Sequence, residues 1–331
     1  MSAVVVPTLA LTRSEVRVLM RPADYLEAVE MGFRALRSGS ASVPPPLGLE
    51  LGNGGFHAKV AALSASGRNY VALKFNANFP DNPERNRLPT IQGAILLCDG
   101  DSGALLALMD SIELTLKRTA AATALAARHL ARPKSETVLV CGCGDQAPAQ
   151  LEALLAVLPL RRGFCWDRDP ERSAAFARKF RNGFVTAAHD LADAAQQSDV
   201  IVTCTTATEP FLTVDMVRAG TFIAAVGADN PRKSEIDPTL MAKALVVTDS
   251  TDQCATMGDL HHAIEAGVMA AADVHSELAE FVAGTTPGRT NEARITLFDS
   301  TGVAVQDAAS AVRIYLRALE ARAPTRIALA A

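Results

Sequence analysis

A run of β-branched and aliphatic residues, Thr137-Val138-Leu139-Val140-Cys141, leads into Gly142-Cys143-Gly144-Asp145-Gln146-Ala147, two glycines and an alanine spaced G-x-G-x-x-A. Apolar residues then recur at helical spacing as far as Leu158, so the stretch reads as strand, tight turn and helix. Such a turn suits a pyrophosphate. Gly142 permits the sharp turn, Gly144 leaves bare backbone against which phosphates can lie, and the small Ala147 lets helix and strand pack closely. The anion then meets the free N–H groups and positive end of the helix, with Gly142, Gly144, Asp145 and Gln146 as its expected contacts. The next strand, Gly163-Phe164-Cys165-Trp166, ends on Asp167, 23 residues beyond Gly144, near the ~20 typical of a carboxylate that binds the adenine-side ribose. Asp167 could accept from both ribose hydroxyls, which favours NAD. Arg168 beside it could stack on adenine or meet a 2′-phosphate, which leaves NADP open. The alternative for Asp167 is a turn residue ahead of the helix that Asp169 caps and Pro170-Glu171 begin.

The elements that must position these groups follow from the apolar pattern. After Asp167, apolar strands at residues 199–205, 222–227, 244–249 and 295–299 alternate with helices, the signature of a doubly wound parallel sheet of the Rossmann type. Thr205 and Thr206 end the first of these strands, where a cofactor ribose would lie, and Ser300 to Gly302 follow the last, within reach of a nicotinamide. Strand-end Ser and Thr also serve turns alone. Upstream the pattern differs. A strand at residues 4–9 precedes an amphipathic helix from about Pro22 to Ser38-Gly39-Ser40, then Pro44-Pro45-Pro46, alternating Leu47, Leu49 and Leu51, and the turn Gly52-Asn53-Gly54-Gly55. Strands at 56–63, 70–76 and 90–98 follow at short spacing, which predicts an antiparallel or mixed sheet in a separate α+β unit. An Ala- and Leu-rich helix over 111–130 links the two units, and a last helix over 305–321 returns to the first. The expected domains are therefore 1–130 with 305–331, and 131–304.

Composition bounds the rest. A chain of 331 residues with 49% hydrophobic and 21% charged residues is an ordinary globular protein of about two domains. The net charge of −4 gives no basic footprint for nucleic acid. The apolar N-terminus is short and lacks a basic leading region, so neither a signal peptide nor a membrane span is expected, and the cytoplasm is the expected compartment. Six cysteines fall mostly inside apolar strands and show no zinc spacing. The adjacent His261 and His262 point in different directions with no third ligand at a suggestive spacing, so no metal is expected.

Over nearly its whole length the chain resembles the ornithine cyclodeaminase and μ-crystallin family. The resemblance rests on Lys74-Phe75, Asn82-Pro83, Leu88-Pro89-Thr90, Leu114-Thr115 with Arg118-Thr119-Ala120-Ala121, Gly142-Cys143-Gly144-Asp145-Gln146, Val226-Gly227-Ala228-Asp229, and Asp299-Ser300-Thr301-Gly302 with Gln306-Asp307. It implies an N-terminal domain for substrate binding and homodimerisation, and a second domain that holds NAD or NADP. It also implies a small amino-acid or imino-acid substrate. The family includes cyclodeaminases, amino-acid dehydrogenases, reductases of cyclic ketimines, and a crystallin branch that binds cofactor or small ligands without catalysis.

The chemistry such a family shares moves a hydride between nicotinamide and an amino-acid α-carbon through an imine. It needs a cation for the substrate carboxylate and a group that manages protons at the imine. Arg118 is the choice for the carboxylate, because a planar guanidinium can hold it with two parallel hydrogen bonds; by sequence alone it is also an ordinary helix arginine. Lys74 interrupts an apolar strand on the face of Ala72 and Asn76, opposite Leu73 and Phe75. It polarises the substrate if that face lines a cleft, and is an edge lysine otherwise. The resemblance favours the cleft, assigns Asp229 as the catalytic carboxylate and places Thr90 among the substrate-binding residues. Relatives often carry an arginine in a Pro-Pro-Arg setting; here the run is Pro44-Pro45-Pro46-Leu47-Gly48. Lys59, on one strand face with His57, is the candidate replacement, so Lys59, Lys74 and Arg118 together would form an anionic-substrate pocket. A solvated strand lysine is the alternative.

Overall fold

The computed structural model describes residues 7–180, 183–321 and 325–328. Residues 4–6 of the expected first strand lie outside them, and the strand observed there is Thr8–Leu11. In chain order the strands are β1 Thr8–Leu11, β2 Ala41–Ser42, β3 Leu47–Leu51, β4 Gly54–Ala65, β5 Arg68–Asn78, β6 Ile91–Asp99, β7 Leu105–Asp110 and β8 Thr137–Cys141. They continue with β9 Arg162–Trp166, β10 Val185–Ala187, β11 Val200–Thr203, β12 Phe222–Ala225, β13 Leu245–Thr248, β14 Ser276–Glu277, β15 Thr296–Asp299 and β16 Thr325–Ile327. The helices are α1 Arg13–Leu19, α2 Pro22–Ser38, α3 Asn82–Arg85, α4 Ser111–Leu130, α5 Gln146–Leu155 and α6 Pro170–Ala177. After them come α7 Leu191–Gln196, α8 Pro238–Lys243, α9 Thr251–Met257, α10 Asp259–Glu265, α11 Leu278–Val282 and α12 Ala304–Glu320.

The chain divides into two compact units, Met1–Arg118 with Val303–Ala331, and Thr119–Gly302. The division falls inside α4 rather than after it.

The first unit is a mixed sheet in the order β16-β1-β7-β6-β5-β4-β2, with β3 also paired to β4. Only the β1 and β7 pair is parallel among its paired strands. In the β4 and β5 ladder Lys59 stands opposite Lys74, and Ala58 opposite Phe75, so the two lysines share one face and Phe75 lies on the other. Helices α2 and α12 pack on each other, and α12 packs on β4, β5 and β6. Helix α2 presents Tyr25, Val29 and Phe33, each at most 1% exposed; full burial of one such side chain stabilises by about 2 kcal/mol. Gly32 permits the close approach of α12, because a Cβ there would lie 3.1 Å from both the Ala309 Cβ and the Val305 carbonyl. Of the elements in this unit that escaped the sequence reading, two matter most. One is α1, whose Thr12-Arg13-Ser14-Glu15 spells a capping box: Thr12 N–H donates to Glu15 Oε2 at 2.8 Å and Glu15 N–H to Thr12 Oγ1 at 3.4 Å. The other is β7, short and without bounding turn residues on its far side.

The second unit is an eight-stranded sheet in the order β10-β9-β8-β11-β12-β15-β13-β14, and every pairing in it is parallel. Its strands are apolar because helices cover both faces of such a sheet; Val138 to Cys141, for example, are 0% exposed. From β8 the strand order runs through β9 and β10 on one side and starts again with β11 on the other. The carboxyl end of β8 therefore lies at the switch point where ligands bind in open α/β sheets.

Gly142 stands at that end with φ +93°, and a Cβ there would lie 2.8 Å from the Cys204 carbonyl oxygen. Gly142→Ala combines backbone strain with a clash, so it is expected to lower the unfolding free energy by about 2 kcal/mol or more, measured by urea denaturation. An unchanged midpoint would mean that the turn relaxes without loss.

Candidate active site

In the second unit the turn after β8 is held by Gly142 N–H donating to the Trp166 carbonyl at 2.8 Å. Apart from its chain neighbours, no described residue comes within 4 Å of a Cβ built on Gly144, so the backbone there faces open space. Helix α5 begins directly afterwards, and Asp145 before it gives no side-chain cap, which leaves the helix's first N–H groups for an incoming group. Gln146 Oε1 is buried without a hydrogen-bond partner. A cavity of about 700 Å³ opens at this place, lined by Gly142, Gly144, Asp167, Arg168, Arg172 and Thr205 among others. An open glycine cradle, an unpartnered buried amide oxygen and bare helix N–H groups fit a dinucleotide phosphate.

Asp167 is half-buried and already serves the backbone: Oδ2 accepts from Cys143 N–H at 2.8 Å and Oδ1 from Asp169 N–H at 3.0 Å. A carboxylate oxygen has more than one lone pair, so these bonds fix its orientation and leave capacity for a ribose hydroxyl. Arg168 faces the same cavity, and Arg172, which the sequence reading missed, joins it from the first turn of α6. Its signal was an arginine in the first turn of a helix that follows a strand-end Asp.

Other expected cofactor contacts are occupied by buried acids. Thr205 donates twice to Glu235 Oε1, from N–H at 2.6 Å and from Oγ1 at 2.7 Å, while Glu235 Oε2 accepts from Thr203 Oγ1 at 2.7 Å and Gly227 N–H at 2.9 Å. Burial nonetheless keeps the Glu235 carboxyl above its usual range against these donors. Ser300 Oγ and Gly302 N–H both donate to Asp249 Oδ2, at 3.0 and 2.6 Å. Ser300 and Gly302 are thus organised by Asp249, a residue that sequence reasoning passed over as a strand end. Asp229 follows β12 and is exposed; its Oδ1 accepts from Lys233 Nζ at 2.7 Å. Lys233 is a second missed neighbour, and its carbonyl in turn holds the His262 Nε2 at 2.8 Å.

The first unit gathers the other candidates. Lys74 and Arg118 are 5% and 4% exposed, and both reach Asp307 on α12, which is 1% exposed. Lys74 Nζ lies 2.8 Å from Asp307 Oδ2 and Arg118 Nε 3.0 Å from Oδ1. Arg118 Nη1 also donates to Gln306 Oε1 at 2.7 Å. Lys59 faces the same group across the β4 and β5 ladder, close enough to act on the charge of both Lys74 and Asp307. Two buried cations, Lys74 and Arg118, thus meet one carboxylate, with the half-buried Lys59 close by. Burial pushes the Lys74 ammonium down to about 7; Asp307 opposes that, and Arg118 and Lys59 add to it. Burial alone would raise Asp307, yet Arg118 and Lys74 hold it below the usual carboxylate range. Asp307 is the charge hub that sequence reasoning named only as part of a motif. Its signal was the one charged residue in the stretch Val303 to Val312. Thr90 lies at the start of β6, where its carbonyl accepts from Phe79 N–H at 2.8 Å. Asn82 Nδ2 donates to the Pro89 carbonyl at 3.2 Å, which draws the Asn82-Pro83 and Leu88-Pro89-Thr90 motifs together.

An all-parallel sheet with a glycine turn at its switch point makes the second unit a Rossmann-type domain, joined in this chain to an α+β unit. The chain belongs to the ornithine cyclodeaminase/mu-crystallin family, whose model matches residues 6–322. It is similar to an archaeal alanine dehydrogenase solved as a dimer with bound NAD, at 35% identity and a TM-score of 0.93, covering 98% of this chain and 99% of that one. It is also similar to Thermococcus litoralis Δ1-pyrroline-2-carboxylate reductase, solved with NADH and L-proline, at 32% identity and a TM-score of 0.92, covering 97% of this chain and all (100%) of that one. A lysine cyclodeaminase solved for its recognition of L-lysine, L-ornithine and L-2,4-diaminobutyric acid is 32% identical with a TM-score of 0.87, covering 98% of this chain and 96% of that one.

The Lys74 environment makes a stability prediction with a definite sign. An unfolded lysine titrates at 10.5, against about 7 in the fold. Between those values the unfolded chain holds the proton and the folded chain has released it, so stability rises with pH across that window, by at most about 1.4 kcal/mol per pH unit. The difference in urea midpoint between wild type and Lys74→Met is therefore expected to move in favour of wild type from about pH 7 to about pH 9.5. Parallel pH dependences of the two proteins would refute this.

Proposed function

We propose that this protein is an NAD(H)-dependent oxidoreductase, with NADP(H) as a possible cofactor, that acts on the C–N bond at the α-carbon of an amino or imino acid through an imine. The observation that carries the reading is the grouping of Lys59, Lys74 and Arg118 around the single carboxylate of Asp307. Lys74 and Arg118 are buried and Lys59 is half-buried beside them, and cations set this close work against one another's charge, so an α-carboxylate placed among them is stabilised.

A bound nicotinamide would supply the acceptor or donor of the hydride. In this proposal Gly142, Gly144, Asp145 and Gln146 hold its pyrophosphate, Asp167 its adenine-side ribose, and Thr205, Ser300 and Gly302 line its path. Arg168, with Arg172, decides how well a 2′-phosphate is tolerated. Arg118 and Lys59 fix the substrate carboxylate, and Arg118 is itself aimed by Gln306 and Asp307. Lys74, poised near neutrality, gives or takes a proton at the substrate. Asp229 takes the amine proton in the oxidative direction and activates water on the imine in the hydrolytic one, with Lys233 hydrogen-bonded beside it. Thr90 closes the substrate end. The first unit is then the substrate-binding and dimerisation domain and the second the dinucleotide-binding domain.

Ornithine cyclodeamination returns the hydride to the same substrate, whereas a dehydrogenase or ketimine reductase releases changed cofactor. Incubation with L-ornithine, L-lysine, L-alanine, L-arginine and Δ1-pyrroline-2-carboxylate, with reduced-cofactor absorbance and ammonia followed together, tests the reading. Ammonia and a cyclic imino acid without net cofactor change identify a cyclodeaminase, and matched cofactor turnover identifies net redox chemistry. Cofactor binding with no turnover on the whole panel would overturn the enzymatic reading. With the substrate so found, Lys59→Met is expected to raise KM about tenfold or more, the weight of one charge-assisted contact, and to change kcat far less. An unchanged KM would remove Lys59 from the pocket.

The partner is a second copy of this chain. On the sheet face opposite Lys74, Leu47, Leu49 and Phe75 are 70%, 59% and 50% exposed, and Phe56 stacks on Phe75 with centroids 5.2 Å apart. Contiguous apolar surface of this kind marks an interface, and a self-complementary pairing would cover it on both copies. Leu49→Glu combined with Phe75→Glu is expected to give a folded monomer by sedimentation velocity; a dimer that persists would place the interface elsewhere.

A further inference from the structure

The adjacent histidines on α10 have no part in the reaction proposed above. On a helix, residues lie about 100° apart around the axis, so Glu265 falls between His261 and His262, about 40° from the first and about 60° from the second. Glu265 is thus the third ligand that reading along the sequence did not supply. His261 Nε2 lies 3.4 Å from Glu265 Oε1, and His262 Nδ1 lies 3.8 Å from Oε2. The ligating atoms of all three residues fall within 4.8 Å of one another.

The opposite ring nitrogens decide what these atoms are. His262 Nε2 lies 2.8 Å from the Lys233 carbonyl and His261 Nδ1 lies 3.2 Å from the Ala255 carbonyl. A carbonyl oxygen only accepts, so each of these nitrogens carries the proton and donates. In the neutral rings, His261 Nε2 and His262 Nδ1 are then bare lone pairs, and both are turned toward a carboxylate. Three acceptors facing one another repel unless a cation lies among them. A histidine whose second nitrogen donates to a backbone carbonyl is also the usual orientation of a metal ligand, because that bond fixes tautomer and ring direction. Tetrahedral zinc with nitrogen and oxygen ligands at roughly 2.0–2.2 Å has neighbouring ligand atoms about 3.4 Å apart, a span that the pairs with Glu265 nearly meet. His261 and His262 are 21% and 22% exposed and Glu265 63%, so an ion can enter from solvent and keep water on its remaining position.

We propose that His261, His262 and Glu265 form a binding site for a borderline divalent cation of the zinc class, outside the catalytic groups. The test uses the full-length chain, first stripped with a chelator, and titrates Zn²⁺ against a chromophoric competitor. One ion per chain is expected. His261→Asn with His262→Asn, and separately the exposed Glu265→Gln, are each expected to weaken binding about tenfold or more, with a retained cooperative melting transition of the metal-free protein as evidence of folding. Co²⁺ in place of Zn²⁺ should give visible ligand-field bands without a thiolate charge-transfer band, because the chain's cysteines take no part. Absence of stoichiometric binding, variants that bind as tightly as wild type, or a thiolate band would each overturn the site. In the first case a shared proton, rather than a metal, joins the histidines to Glu265.

Discussion

Asp307 is the charge on which the first unit depends. A carboxylate 1% exposed on a helix of alanines and valines is tolerable only because Lys74 and Arg118 come to it from a strand and from a second helix. Removing one partner of such a buried pair typically costs about 3–5 kcal/mol, since the survivor stays buried and uncompensated. The same contacts fix where the cations point. Lys74 cannot leave the face it shares with Lys59, and Arg118 is turned by Gln306 as well, so the positions of the charges are set before any ligand arrives.

The second unit solves the burial of charge differently. Glu235, Asp259 and Asp299 are fully or almost fully buried and are met largely by backbone N–H groups: Gly227 and Thr205 for Glu235, Glu235 and Ile236 for Asp259, and Leu260 for Asp299. Burial pushes all three up, Asp299 to about 7. Each ties a loop at the carboxyl end of a strand to its neighbour, and Asp249 does the same for residues 300–302. The glycines there are enforced by these acids: a Cβ on Gly227 would lie 2.4 Å from Glu235 Oε1, and one on Gly258 2.5 Å from Asp299 Oδ2. The Thr205 loop beside the glycine turn is thus held by Glu235, a side chain that does not line the cavity.

The two sheet faces of the first unit show how one strand serves two purposes. Alternation sends Lys59 and Lys74 inward beneath α12 and sends Phe75 and its neighbours outward. A shift of one residue in the β4 and β5 register would exchange the faces, leaving cations in water and aromatics against Asp307.

Much of this was legible in the sequence because it is local. The glycine spacing, the strand and helix periods, and the cap at Asp169 are set by neighbours within a few residues, and the helices at 22–38 and 111–130 end where turn residues or proline stop them. The parallel order of the second sheet followed from its alternation of apolar strands and helices, since such crossovers leave few other arrangements. The candidate residues themselves were found by type and motif. What they touch was not. That Arg118 spends part of its guanidinium on Gln306, that Thr205 answers to Glu235, and that Asp307 gathers Lys74 and Arg118 are contacts across tens to hundreds of residues, and composition carries no record of them. Only the tertiary structure brings those partners together, because ion pairing and burial act through space while periodicity acts along the chain.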